Sequence, residues 1–207
     1  MSDAFDNKAH WELVYRRQPE SAYSWYQAIP KQSLDLIMGT NLPLSCRILD
    51  VGGGDSNLVD GLLESGYQHI DILDISTDAL NKSKARLGVN TQGVNWLETD
   101  ITKFVADKPY DLWHDRAVFH FLTTAESRAR YKQVLGQSLR KGGHLILATF
   151  AMGGPEKCSG LDIVQYDAEL MVQELGDDFV IQKSLSYRHI TPAGVPQLFN
   201  YFWFVHA

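Results

Sequence analysis

A doubly wound α/β sheet covered by helices on both faces is the fold class this sequence predicts, and three observations predict it. Short apolar runs that end near turn residues or acids alternate with segments of helical periodicity. The first of those runs leads straight into three glycines, Ile48-Leu49-Asp50-Val51-Gly52-Gly53-Gly54. The chain has 207 residues, 44% hydrophobic and 21% charged, with no internal repeat or low-complexity tract, which suits one globular domain.

The elements follow in order. Lys8 to Arg17 and Gln32 to Met38 read as two helices joined by the aromatic segment Ser21-Ala22-Tyr23-Ser24-Trp25-Tyr26-Gln27, so residues 1–45 are expected to form a helical cap on a core spanning 46–207. Arg47 to Val51, His69 to Asp74, Val94 to Glu98, Tyr110 to Asp115 and His144 to Phe150 are apolar runs of the kind that parallel strands, buried on both faces, require. Between them Leu58, Val59, Leu62 and Leu63 recur at helical spacing, Thr77 to Leu87 follows the cap Ser76, and Ala125 to Leu139 ends near the stop signal Lys141-Gly142-Gly143. Asp167 to Leu175 is the last helix. Phe179 to Tyr187 and Leu198 to His206 are two further strands, and their connection, His189 to Pro196, is too short for a parallel crossover, so they pair antiparallel.

Several classes are disfavoured at once. A formal charge of −6 speaks against a grip on nucleic acid, which needs a dense basic surface. Met1 to Lys8 lacks the apolar core of a signal peptide and no apolar run approaches the ~18 residues that span a bilayer, so no membrane partner and a cytoplasmic location are expected. The two cysteines, Cys46 and Cys158, match neither a disulfide framework nor a metal spacing, and the histidines show no ligand spacing, so no metal is expected.

The glycine turn carries the chemistry. In an open α/β sheet the ligand crevice lies beyond the carboxyl ends of the strands, and the first strand feeds it. A dinucleotide site would place a third glycine where this chain has Asn57, and Asp50 would repel a pyrophosphate while suiting a cationic amino group. Asp74, 20 residues past Gly54, stands where a carboxylate accepts from ribose hydroxyls. Asp100 follows the third strand, where a side chain or backbone acceptor meets the exocyclic amine of adenine, with Ile75 and Ile101 as apolar covers. Ribose, adenine and a cationic tail without phosphate describe S-adenosyl-L-methionine.

Asp50-Val51-Gly52-Gly53-Gly54, Leu73-Asp74-Ile75-Ser76, Thr99-Asp100-Ile101 and Tyr110-Asp111-Leu112-Trp113-His114-Asp115-Arg116, in that order, resemble the successive cofactor motifs of class I S-adenosylmethionine-dependent methyltransferases. The resemblance covers nearly the whole chain. His10 to Arg16, Trp25-Tyr26-Gln27, His114 to Leu122 and Gly154 to Leu161 are similar, more narrowly, to a group of small, mostly bacterial methyltransferases without an assigned substrate. It implies a Rossmann-like seven-stranded sheet of order 3-2-1-4-5-7-6 with strand seven antiparallel. It also implies cofactor contacts at Tyr15, Arg16, Asp50, Gly52, Gly53, Gly54, Asp74, Ile75, Ser76, Asp100, Ile101, Asp115 and Arg116. The segment after strand four should face the transferred methyl, which makes His120 the candidate general base, because imidazole titrates near neutrality. Trp25, Tyr26, His120 and Cys158 are the candidate acceptor pocket, where an aromatic face beside the sulfonium contributes roughly 0.5 to 2 kcal/mol.

The expected activity is methyl transfer by in-line displacement to a small-molecule acceptor, with S-adenosyl-L-homocysteine as product. Two alternatives stand beside it. One is a protein lysine methyltransferase, suggested by the Trp25-Tyr26 pair and by an acidic charge that attracts a basic partner. The other is a module that binds the cofactor without turning it over. A nicotinamide-dependent oxidoreductase is the least favoured, because of Asn57 and Asp50.

Overall fold

Strand register decides where everything else sits. The computed structural model describes residues 5–17 and 22–207; the expectations for Met1 to Ala4 and for Ser21 lie outside the described residues. A seven-stranded sheet is built from β1 (Arg47–Val51), β2 (His69–Asp74), β3 (Val94–Glu98), β4 (Tyr110–Arg116), β5 (Leu139–Phe150), β8 (Phe179–Ile190) and β9 (Pro196–His206). Its order is β3-β2-β1-β4-β5-β9-β8. The first five strands pair parallel, and β9 pairs antiparallel with both β5 and β8, the order and polarity expected from the resemblance.

Helices α2 (Lys31–Gly39), α3 (Leu58–Glu64) and α4 (Thr77–Leu87) bury Leu34, Ile37, Leu62 and Leu80 on one face with Ile48, Ile70 and Leu112 of the sheet. On the other face α5 (Ala125–Ser138) and α6 (Ala168–Leu175) bury Tyr131, Leu135 and Met171 against Leu49, Trp113 and Phe202. Alternate residues of β1, Ile48 and Leu49, thus serve opposite cores, which is why the strand reads as unbroken apolar sequence.

Three boundaries differ from expectation. Lys141-Gly142-Gly143 lies inside β5 and does not end the preceding helix: Leu139 already pairs with Tyr110, while His144 pairs with Leu112, so extra residues loop out between two paired positions. The final hairpin is longer than its apolar pattern, with Ile190 paired to Pro196 and the tip closed by Thr191, whose hydroxyl accepts from the Val195 amide at 3.0 Å. A small hairpin, β6 (Lys157–Cys158) with β7 (Leu161–Asp162), stands where a plain glycine-bearing loop was expected.

Helix α1 (Asn7–Arg17) lies across the open end of this sheet because its side chains reach the first turn of α4. The carboxylate of Glu12 accepts from the amides of Thr77 and Asp78 at 2.8 and 3.3 Å. Such groups have no partner within their own helix, and satisfying them stabilises by about 1 kcal/mol. Segment 22–27 is held from three sides: the Asn57 amide donates to the Gln27 carbonyl (3.0 Å), Arg116 Nη1 to the Trp25 carbonyl (3.0 Å), and His189 Nε2 lies 2.7 Å from the Ser24 carbonyl. Asn57, the residue that replaces a third glycine, therefore anchors the cap to the glycine turn.

Candidate active site

Two adjoining cavities open at the carboxyl ends of β1, β2, β3 and β4, beneath α1 and segment 22–27. The larger, about 160 Å³, reaches from Asp74, Ile75, Asp100 and Ile101 to Trp11, Phe121 and Cys158. The smaller, about 50 Å³, lies between the glycine turn and α2, with Asp50, Gly53, Ser33, His114 and Tyr26 in its wall. Tyr15, Trp25, Val51, Gly52 and Arg116 line both and mark where they meet.

The turn itself is forced by sterics. Gly52 adopts φ +67°, and a Cβ on it would come within 2.1 Å of Val118 Cγ2, so no other residue fits. Gly53 leaves room for a carboxylate, since a Cβ there would stand 2.3 Å from Asp50 Oδ2.

The acids at the strand ends are held differently. Asp74 is buried, and its two oxygens accept from the amides of Gly54 (3.2 Å) and Ser76 (2.9 Å). Burial pushes its carboxyl up to about 7, against the opposing pull of those amides and with a further push from the charge of Asp50. Asp100 is half-buried, which alone would raise it, yet the Thr102 hydroxyl and amide and Lys103 hold it below the ordinary range. Asp50 gives one oxygen to His114 Nδ1 at 2.7 Å; its other oxygen, Oδ2, is buried without a hydrogen-bond partner among the described residues.

Arg116 projects into the junction. Its Nε donates to the Tyr201 hydroxyl (3.2 Å), its Nη1 to the Trp25 carbonyl (3.0 Å), and its guanidinium lies 4.8 Å from the Phe199 ring centre. Its Nη2 is buried and has no hydrogen-bond partner among the described residues. The wall of the small cavity therefore holds one unpaired carboxylate oxygen and one unpaired guanidinium nitrogen among the described residues, opposite charges that suit the ammonium and carboxylate of an amino-acid group.

Aromatic rings close the roof. Trp25 stacks on Tyr23 with centroids 4.8 Å apart and planes 2° apart, and Trp11 meets Trp25 and Phe121 edge-on at 6.1 and 5.1 Å. Cys158 reaches the larger cavity from β6, and burial pushes its thiol up to about 11, so it stands there as a neutral thiol and not as a nucleophile.

Five sequence-predicted site residues line neither cavity, the first being Gly54, whose amide donates to Asp74 Oδ2 at 3.2 Å. The Arg16 side chain is 68% exposed and pairs with Asp78 and Glu12, so its charge is taken up on the outer surface. Ser76 is an α4 cap, its hydroxyl accepting from Ala79 N at 3.2 Å. Asp115 is fully buried and shapes the chain after β4, accepting from the amides of Val118 (3.0 Å) and Phe119 (3.2 Å) and from the Tyr131 hydroxyl (2.7 Å). His120 does not reach either cavity: it is fully buried between Phe121 and Phe150, with centroids at 4.5 and 4.9 Å, and neither ring nitrogen has a hydrogen-bond partner among the described residues. Burial, aided by the Arg116 charge, pulls it down to about 3, so it is uncharged at neutral pH and has no open path to an acceptor.

Conversely, Trp11, Phe121, Ser33 and His114 line the cavities without having been singled out. The aromatic run around Trp11 was a usable signal. Ser33, on a helix 81 residues before His114, offered none.

Residues 49–145 match the profile of a family described as a methyltransferase domain. In sequence the chain is 24% identical over 157 residues to the eEF1A lysine and N-terminal methyltransferase of Mus musculus, covering 72% of this chain and 22% of that protein. It is 30% identical over 133 residues to the tRNA 5-carboxymethoxyuridine methyltransferase of Escherichia coli (strain K12), 62% of this chain and 49% of that one. The chain thus spans about a fifth of the length of the first relative and about half of the second. In structure it superposes on magnesium protoporphyrin IX methyltransferase (ChlM) from Synechocystis PCC 6803 with bound SAM, with TM-score 0.71 and 19% identity over 100% of each chain, a likeness of fold.

Proposed function

We propose, from the premise that this chain carries a class I S-adenosylmethionine-dependent methyltransferase domain, that it transfers the methyl group to a small-molecule acceptor bound at the Trp11, Phe121 and Cys158 end of the larger cavity. The observation that carries this reading is the roof. The acceptor end is bordered by Trp11 of α1, by Trp25, by the turn at Phe121 and by Cys158 of the β6–β7 hairpin, a half-open concave pocket lined by aromatic rings, which suits a small molecule better than a folded partner.

The residues fit the cofactor on their own chemistry. Asp74 is placed to accept from ribose hydroxyls, Ile75 and Ile101 to cover the base beside Asp100, and Asp50 with Arg116 to hold the amino-acid tail. When bound, S-adenosylmethionine supplies a methyl group already activated on a sulfonium. The chain's own part is to align the acceptor and exclude water. Well-oriented intramolecular reactions gain about 7 to 11 kcal/mol from such alignment. With His120 sealed in the core, no imidazole among the described residues lines the larger cavity, which favours an acceptor atom that is nucleophilic without losing a proton first.

A second reading is a protein lysine methyltransferase, favoured by the eEF1A lysine and N-terminal methyltransferase relatives and by the ring cluster at the roof. Incubation with a cell extract and labelled cofactor separates them. Label in the small-molecule fraction is expected; label in protein bands selects the second reading, and label in RNA overturns both.

A further inference from the structure

Beneath the glycine turn, three buried side chains from three elements form one hydrogen-bonded line. His114 of β4 lies 2.7 Å from Asp50 Oδ1 of β1 through Nδ1 and 2.9 Å from Ser33 Oγ of α2 through Nε2. The three residues are 2%, 3% and 1% exposed for Asp50, His114 and Ser33, yet all line the smaller cavity. A carboxylate only accepts, so the proton of this bond belongs to Nδ1. With a neutral ring, Nε2 then accepts from the Ser33 hydroxyl, and both ring nitrogens have a partner.

The line ends on an atom that is not satisfied. Asp50 Oδ2 is buried and has no hydrogen-bond partner among the described residues; it packs against Gly53, where a Cβ would stand 2.3 Å from it, and both residues are in the wall of the smaller cavity. A carboxylate oxygen left open in a cavity is expensive unless a ligand donates to it. An aspartate at a strand end can rotate about its last side-chain bond, and rotation would turn Oδ2 away from the cavity. The bond from His114 fixes that rotation, and Ser33 fixes the imidazole in turn, much as buried partners orient ligating groups in other sites.

We propose that His114 and Ser33 are positioning residues that lock Asp50 with Oδ2 aimed at the ammonium of an amino-acid tail on the bound nucleoside. The inference rests on the methyltransferase reading above. It assigns work to a histidine and a serine that the chemistry of methyl transfer does not itself use, and it makes the tail, not the adenosine, the part of the cofactor that senses them.

The test compares two ligands differing only in that tail. S-Adenosylhomocysteine carries it; 5′-methylthioadenosine keeps the adenosine and the thioether and lacks the amino acid. Calorimetric titration of the full chain should show His114→Ala weakening S-adenosylhomocysteine about tenfold, the size expected for a lost hydrogen bond to a charged group, with 5′-methylthioadenosine unchanged. His114→Asn, which can still present an N–H to Asp50, should recover most of the loss, and Ser33→Ala should cost about threefold. In an Asp50→Asn background the His114→Ala effect should vanish, as a shared pathway requires. Parallel losses for both ligands would show a merely structural role and overturn the proposal, as would no change for either. Retained 5′-methylthioadenosine binding reports that each variant is folded; if His114→Ala does not fold, the Asn and Ser33 variants decide. A wild-type chain that binds neither ligand overturns the cofactor reading itself, an outcome distinct from failure of the positioning line alone.

Discussion

His114 and His120 sit six residues apart on one stretch of chain and have opposite surroundings. His114 is at the end of β4 with both nitrogens within hydrogen-bond reach of Asp50 and Ser33, beside a cavity. His120, past the turn, has no hydrogen-bond partner among the described residues and is packed between aromatic rings. Sequence reasoning named the second as the candidate base because it follows strand four, where the chain should face the methyl group, and because imidazole titrates near neutrality. The difference teaches that residue type and nearness to the crevice do not assign a role to an imidazole; partners and access do.

Asp115 separates the two, and removing it should have the largest effect. Its carboxylate gathers the Val118 and Phe119 amides and the Tyr131 hydroxyl, closing a turn in which Ala117 takes φ +70°. Asp115→Ala strands three buried donors at about 1 kcal/mol or more each, so denaturant melts should show a loss of at least about 3 kcal/mol. Asp115→Asn keeps an acceptor for the amides and should lose clearly less. Equal losses in both variants would mean that the charge, and not the turn, is what the site needs.

Asp74 tests the cofactor side of the same contrast. Asp74→Ala should weaken S-adenosylmethionine by about 1 to 3 kcal/mol in calorimetry, the range for hydrogen bonds to a charged group. Its pH dependence has a definite sign. With the folded carboxyl near 7 against an ordinary 3.8, ribose hydroxyls meet an ionised acceptor above about pH 8, and affinity should fall by up to about tenfold per unit below 7. Stability runs the other way: the raised group contributes fully below about 3.8 and loses that contribution as pH rises through 7. Asp74→Asn should flatten both curves, and an unchanged affinity profile in that variant would remove Asp74 from the ribose site.

These contrasts also show what was legible in the sequence. Asp50, Asp74 and Asp100 could be read because each closes an apolar run, and an acid there has to serve the crevice or the backbone. Even so, the pattern could not separate Asp74, which lines the cavity, from Asp115, which holds the turn, because both end a strand of the same sheet. Arg16 and Arg116 divide the same way: the exposed one is neutralised by Glu12, one turn back on its own helix, and by Asp78 of α4, and the pairing with Asp78 exists only once α1 has docked on α4. Lys141-Gly142-Gly143 read as a helix stop because its glycines break periodicity, whereas the strand already underway at Leu139 is set by pairing with Tyr110. Local periods reveal elements; partners from distant elements decide what their side chains do.

The smallest effect should come from His120, and its sign distinguishes a core residue from a base. Near pH 7.5, His120→Leu removes two partnerless nitrogens and loses ring contacts with Phe121 and Phe150, terms of opposite sign that should leave stability within about 1 kcal/mol. In acid the variant should gain on the wild type. A histidine held near 3 in the folded chain but titrating near 6.5 when unfolded contributes stability that is present above 6.5 and lost as pH falls towards 3. Leucine carries no such penalty, so melts between pH 7 and 5 should slope less steeply in the variant. Turnover of the acceptor found in the extract should survive with its pH profile unaltered. If turnover vanishes while S-adenosylhomocysteine still binds, the ring must swing out of its aromatic packing during the reaction, and the division between the two histidines drawn from their partners would fail.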